Sequence, residues 1–91
     1  MTVTVRIPTQ LRSLSAGSSE VTVEASTVSE ALKALEAAYP GFAERLFDDG
    51  GRLRRFVNVF VADEDIRFLD GVETPLTTGS TVSIVPAVAG G

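Results

Sequence analysis

Three stretches of the chain alternate with the period of a half-buried β-strand. Apolar and polar residues alternate in the first two, and valines alternate with aromatic residues or asparagine in the third. The stretches cover residues 3–7, 20–24 and 56–61. Pro8 closes the first, and the turn-rich residues 16–19 separate it from the second, so we expect these two to pair as a hairpin. Another strand-like run, Thr81–Val85, lies near the end of the chain.

A helix is predicted to begin after Thr27, because Thr27-Val28-Ser29-Glu30 has the pattern of a capping box. Pro40-Gly41 stops the helix. Apolar side chains fall on one face of it, at Val28, Ala31, Leu32, Leu35, Ala38 and Tyr39. A second short helical turn is predicted over 41–47, with Phe42 and Leu46 facing inward.

The remaining segments complete an α+β pattern. Asp48–Gly51 reads as a loop, and Ile66–Phe68 as a short strand before the last one. The order strand, strand, helix, strand, short strand, strand predicts a mixed sheet of four to five strands packed on one main helix. We expect residues 1–91 to form a single domain with a flexible C-terminal tail over 87–91. We expect Phe56, Phe60 and Phe68 in the core, and the alternative is that they are exposed as an interaction patch.

The composition of the chain excludes several classes of function. The 91 residues include no cysteine and no histidine, which removes thiol nucleophiles, imidazole bases and the usual zinc and iron-sulfur ligands. A net charge of −4 disfavours nucleic acid as a partner. No apolar stretch approaches the roughly 20 residues that span a bilayer, and Met1–Val5 reads as a strand instead of a signal peptide. We therefore expect a cytoplasmic protein that is not an enzyme and has no membrane partner.

Three polar groups invite a functional hypothesis and also have a structural explanation. Asp48-Asp49 and Asp63-Glu64-Asp65 suggest a metal or acid/base site, but both lie in predicted turns. Arg52–Arg55 is either a contact for an acidic rim on a partner or a solvated strand edge. Asn58, within a strand, either makes a cross-strand or turn hydrogen bond or takes part in binding.

The C-terminal Gly90-Gly91 has no role in packing a core, since glycine has no side chain. Such an end can enter a narrow channel and present its carboxylate to the active site of another enzyme. Residues Ala87–Gly91, if extended, reach roughly 16 Å beyond the folded body at about 3.3 Å per residue.

The final segment, Leu76–Gly91, resembles the ending of the ThiS/MoaD-type ubiquitin-like sulfur carriers, whose fold is the β-grasp. The runs Arg55-Phe56-Val57-Asn58 and Pro86–Gly91 are most similar to the carriers that serve cysteine synthesis. One departure is that Gly79-Ser80 stands where this family usually has Gly-Asp. Serine also makes local turn hydrogen bonds, so we expect no loss of function.

The resemblance implies that Gly91 is the reacting residue. An ATP-dependent adenylating and sulfur-transfer enzyme of the ubiquitin-activating type would activate its carboxylate and convert it to a thiocarboxylate. Gly90, Ala89, Val88 and Ala87 would thread into the partner's active site. The chain itself would bind no cofactor and no metal.

The resemblance also implies the acceptors. For cysteine, the acceptor is a PLP-dependent synthase, and a metalloprotease then releases the product. Thiocarboxylate donation to a 2-thiosugar or other secondary metabolite, to molybdopterin or to a thiamine-thiazole synthase needs the same tail and remains open. A noncatalytic ubiquitin-like interaction domain, which would not need the tail, also remains open. The single lysine, Lys33, makes the chain look like a donor in conjugation chemistry more than an acceptor.

Overall fold

The computed structural model describes residues 1–86. Five strands form one mixed sheet, and in space they follow the order β2-β1-β5-β3-β4. The strands are β1 (Thr2–Arg6), β2 (Glu20–Glu24), β3 (Val57–Val61), β4 (Glu64–Asp65) and β5 (Thr81–Pro86). The pair β1–β5 is parallel, whereas β1–β2, β3–β4 and β3–β5 are antiparallel. This sheet and its helix confirm the predicted β-grasp arrangement.

Two α-helices and three 3₁₀ helices complete the described chain. They are α1 (Val28–Ala38), α2 (Phe42–Leu46) and the 3₁₀ segments Thr9–Ser15, Ile66–Phe68 and Gly71–Glu73. One face of α1 closes the core, with Val28, Leu32 and Leu35 essentially inaccessible to solvent. Burial of each such leucine stabilises the fold by about 1.5–3 kcal/mol. Within residues 1–86, no helix has both the length and the hydrophobicity to cross a bilayer.

The start of α1 is fixed by the predicted cap. The backbone N–H of Glu30 donates to the Thr27 hydroxyl at 3.2 Å, which satisfies one of the free donors of the first turn. The Glu30 carboxylate reaches back one residue further than a standard capping box, and accepts from the backbone N–H of Ser26 at 2.7 Å.

The junction between α1 and α2 is held by a carboxylate. Glu36 accepts from the backbone N–H groups of Gly41, at 2.8 Å, and Ala43, at 3.2 Å. Gly41 has φ of +119°, and a Cβ added there would lie 3.3 Å from Leu14, so both conformation and space favour glycine. Phe42 and Leu46 are fully buried, which confirms the second helical turn.

The short strand lies two residues earlier than predicted. Residues Glu64 and Asp65 pair with Val61 and Phe60, whereas Ile66–Phe68 is one turn of 3₁₀ helix. The Asp65 carboxylate accepts from the backbone N–H of Arg67 at 2.8 Å and begins that turn. A capping aspartate thus ends the strand after two residues.

The prediction that Phe56, Phe60 and Phe68 lie in the core was wrong. Phe56 is 56% exposed, Phe68 is 86% exposed and Phe60 is half-buried. In β3 the valines Val57 and Val59 face the core instead. Asn58 has the same alternation phase as Phe56 and Phe60, and burying an amide without partners is costly, so this phase faces outward.

Ser80 makes the local hydrogen bond expected of it in the turn before β5. Its hydroxyl accepts from the backbone N–H of Thr77 at 3.0 Å, and the neighbouring Gly79 has φ of +89°. Serine therefore makes a local hydrogen bond that closes this turn.

The β3–β4 hairpin contains backbone strain that substitution should relieve. Its two-residue turn consists of Ala62 and Asp63, with φ of +50° and +70°. Type I′ turns prefer Asn-Gly at these positions, because other side chains are disfavoured at positive φ. We expect Ala62→Asn/Asp63→Gly to raise the free energy of unfolding by about 0.5–1 kcal/mol in urea denaturation.

The matched control is Asp70→Gly, because Asp70 has an ordinary φ of −98°. There, glycine should lower the free energy of unfolding by about 0.5–1 kcal/mol. Equal effects of the two changes would contradict the assignment of strain to the hairpin.

Candidate functional site

The predicted tail leaves the protein from the centre of the sheet. β5 pairs with β1 on one side and with β3 on the other, and Pro86, its last residue, is opposite Val57. Val82 and Ile84 anchor it in the core, with 0% and 3% of their surface exposed. The candidate site residues Ala87, Val88, Ala89, Gly90 and Gly91 lie outside the described residues, and their role stays a prediction.

A groove of about 530 Å³ lies beside the end of β5. Its wall is formed by the last residues of β5, the end of β1 and the first turn of the 3₁₀ helix that follows β1. The polar side chains that line it are those of Arg6, Thr9, Gln10, Arg12, Ser19, Glu20 and Ser83. The point at which the tail begins is therefore bordered by polar and basic side chains.

Two guanidinium groups near this end are held by main-chain carbonyls. Arg12 Nε donates to the carbonyl oxygen of Ile7 at 3.2 Å. Arg67 Nη2 donates to the carbonyl oxygens of Arg55 and Val57, both at 3.2 Å. Arg67 therefore satisfies main-chain carbonyls at the start of β3, where β4 is too short to reach.

The cluster Arg52–Arg55 lies in the segment that leads into β3 and is not a strand edge. The backbone N–H of Val57 donates to the Arg54 carbonyl at 2.9 Å, which closes a turn. Arg54 Nε donates to the carbonyl oxygen of Glu44 in α2 at 3.1 Å. Arg55 is exposed and stands two residues before Val57, the partner of Pro86.

The acidic clusters behave as turn residues. Asp48 Oδ1 accepts from the backbone N–H groups of Gly50, at 2.9 Å, and Arg52, at 3.1 Å. Asp65 caps the 3₁₀ turn described above, and Asp63 lies in the hairpin turn. In the described part of the chain, no three acidic side chains come together in a way that would hold a metal ion.

Asn58 lies on the outer face of the sheet next to Val85. The two are paired across β3 and β5, and Val85 is 45% exposed. The hydrogen bonds within residues 1–86 include none to the Asn58 side chain, so the predicted cross-strand or turn bond is not found.

At the opposite end of the sheet, a carboxylate lies at the hairpin edge. The hydroxyl of Thr2 donates to Glu24, and the N-terminal ammonium lies 3.4 Å from the other oxygen of that carboxylate. The Thr2 hydrogen bond is the main cause of the lowered pKa of Glu24, with a smaller contribution from the N-terminal charge.

Comparison with known proteins agrees with this architecture. Residues 5–91 match the family described as the ThiS family. The chain belongs to the ThiS family. It is 47% identical over 93 residues to the sulfur carrier protein CysO of Mycobacterium tuberculosis, and the alignment covers all of both chains.

Two further relatives are informative. In the crystal structure of the Amycolatopsis orientalis BexX/CysO complex, the matching chain superposes with a TM-score of 0.91 at 44% identity, over 98% of this chain and 99% of that one. The small archaeal modifier protein 3 of Haloferax volcanii is 45% identical over 65 residues, which cover 71% of this chain and 70% of the relative.

Sequence reasoning did not single out Arg6, Arg12 and Arg67. They are far apart along the chain, and only the pairing of β1, β5 and β3 brings their segments to the same end of the sheet. The one available signal was the position of Arg6 at the end of a strand, which by itself is common.

Neighbouring residues at the base of the tail should differ in their effect on stability. Ile84→Ala removes a buried side chain and should lower the free energy of unfolding by about 2–5 kcal/mol. Val85→Ala, on the outer face, should lower it by less than about 1 kcal/mol. Urea denaturation of the two variants provides the comparison, and a larger loss for Val85→Ala would mean that the faces of β5 are assigned the wrong way round.

Proposed function

We propose that this chain is a sulfur carrier whose Gly91 carboxylate is adenylated and then converted to a thiocarboxylate that donates sulfur, above all for cysteine synthesis. The observation that carries the proposal is a Gly90-Gly91 end in the sequence, separated by three residues from the central strand of a ThiS-family fold. The full-length similarity to a sulfur carrier protein supports it.

The activation step has a simple chemical reason. A terminal carboxylate with a pKa of about 3.3–3.7 is anionic at neutral pH and resists attack by a nucleophile. In the first step, a carboxylate oxygen attacks the α-phosphate of ATP, giving the acyl-adenylate and releasing pyrophosphate. A sulfide equivalent then attacks the acyl carbon and displaces AMP, and loss of a proton leaves the thiocarboxylate.

The contribution of this chain is positional. The described residues hold no cysteine or histidine that would supply a nucleophile or base, so bond making and breaking fall to partner enzymes. Ordering the tail in a channel costs about 1–2 kcal/mol per residue, and contacts of the folded body with the partner must offset this cost. Because the tail begins at the central strand of the sheet, the tail and the folded body can contact the partner enzyme at the same time.

The choice of cysteine as product rests on the similarity to CysO. A PLP-dependent synthase would present an aminoacrylate made from O-phosphoserine to the thiocarboxylate sulfur. After acyl rearrangement, a metalloprotease would release cysteine from the carrier. Synthases for a thiosugar, thiazole or molybdopterin are the alternative acceptors.

A second candidate function is protein modification. The similarity to a small archaeal modifier protein favours it, because an activated Gly91 acyl group reacts equally well in principle with a lysine amine. The product would be an isopeptide in place of a thiocarboxylate, and the two outcomes differ in mass.

The proposal predicts a defined change in mass. Incubation with ATP, a sulfide source and the adenylating enzyme encoded in the same genome should raise the intact mass by about 16 Da, as oxygen is exchanged for sulfur at the Gly91 carboxyl. Electrospray mass spectrometry measures it, and the product should react with iodoacetamide because a thiocarboxylate is nucleophilic.

Two variants make the result specific. Deletion of Gly91 should abolish the gain, whereas Lys33→Gln, on α1, should leave it intact. A gain that survives the deletion would place the sulfur elsewhere. No gain in the wild-type chain would favour a noncatalytic interaction domain, and adducts on lysines of other proteins would favour the modifier.

A further inference from the structure

Positive charge is concentrated where the tail begins. Arg6 ends β1 in register with Ser83 of β5, Arg12 lines the groove with Pro86, and Arg55 and Arg67 meet at the start of β3. We call these four residues the arginine collar: Arg6, Arg12, Arg55 and Arg67. They are four of the seven arginines in the chain.

The collar contrasts in charge with the rest of the chain. Glu20 lies 3.9 Å from Arg6, and it is the acidic side chain that forms an ion pair with the collar within residues 1–86. Four arginines and one glutamate give the collar region a net charge of +3. Since the whole chain carries −4, the remainder carries −7. The protein is therefore electrostatically polar, with its positive end at the base of the tail.

Two of the collar charges, those of Arg12 and Arg67, are held in place without being neutralised. Arg12 and Arg67 donate to main-chain carbonyl oxygens, as described above, and carbonyls orient a guanidinium while leaving its full charge. Arg67 has a structural role, because its guanidinium group donates to carbonyl oxygens at the start of β3. Folding does not explain Arg55, whose exposed side chain makes no hydrogen bond or ion pair with the described residues.

We infer that the arginine collar docks against an acidic rim around the channel of the adenylating enzyme, and steers the tail into it. This inference rests on the proposed function. An acidic protein approaching an acidic rim is repelled over most of its surface and attracted only at the collar, so the tail leads the approach. Because the Debye length is about 8 Å at physiological ionic strength, only charges close to the tail base act at contact.

Steering of this kind has a kinetic signature. Charges at the rim of an interface act mainly on the association rate and its dependence on salt. Loss of collar charge should thus lower kcat/KM for thiocarboxylate formation and leave kcat at saturating carrier unchanged. A residue that served only the fold would instead alter thermal unfolding and would show no dependence on salt.

The test compares Arg12→Gln/Arg55→Gln with the wild-type chain at 50 and 300 mM NaCl, using the adenylating enzyme from the same genome. We expect kcat/KM to fall about ten-fold at the lower salt, with a difference that shrinks at the higher salt. Arg12→Lys/Arg55→Lys keeps the charge and should restore most of the rate. The matched control Lys33→Gln removes a positive charge on α1 and should leave kcat/KM unchanged.

The outcomes separate the inference from the proposed function. If the wild-type chain gains sulfur but the Gln variant has the same kcat/KM at low salt, the collar does not steer activation. The same conclusion follows if the loss is in kcat, is insensitive to salt, or is found only in transfer to the acceptor synthase. If the wild-type chain gains no sulfur with this enzyme, the proposed function fails and the inference fails with it.

Discussion

The pairing of β5 with both of its neighbours is the constraint on which the rest of the molecule depends. β1 comes from the first residues of the chain and β3 from its second half, and β5 joins the two by forming a parallel pair with one and an antiparallel pair with the other. Its buried residues, Val82 and Ile84, lie in the core that α1 covers. Without this strand the opening hairpin and the β3–β4 hairpin would share no hydrogen bonds in the sheet.

This position also decides what the end of the chain can do. A tail attached to an edge strand could peel away together with the strand when a partner pulled on it, because an edge strand is held from one side only. Here β5 is held from both sides as far as Ser83, and by β3 as far as Pro86. The entropic cost of ordering a tail therefore falls on the few residues beyond the sheet, and a docking surface of modest size can offset it.

Charged residues and exposed apolar residues occupy different parts of the molecular surface. Arginines gather around the base of the tail, while the outer face of the sheet carries Val85 and Asn58 beside Phe60 of β3. None of these features is needed to close the core, which valine, leucine and isoleucine fill from the other face. An acidic protein that keeps a basic, partly apolar end next to a Gly-Gly terminus is suited to present that terminus to other proteins.

Local patterns in the sequence were sufficient for most of the elements. The Thr27 cap and Pro40-Gly41 bounded α1, because both act through hydrogen bonds and sterics within a few residues. The alternation of valines located β1, β2 and β3 for the same reason. The Gly-Gly end and the ThiS/MoaD-like segment before it indicated the family, and Gly91 as the reacting residue is still a prediction from the sequence alone.

The tertiary structure decided what depends on residues distant in sequence. Alternation shows that a strand has two faces but not which one is buried, and the in-phase Asn58 was the one local sign that Phe56 and Phe60 face outward. The end of β4 depended on a capping aspartate. The 3₁₀ helix over Thr9–Ser15 has only Leu11 and Leu14 at its three-residue period, which is too short a pattern to reveal it. The grouping of Arg6, Arg12, Arg55 and Arg67 exists only because β5 pairs between β1 and β3, since strand order is set by long-range packing that no short window of sequence contains.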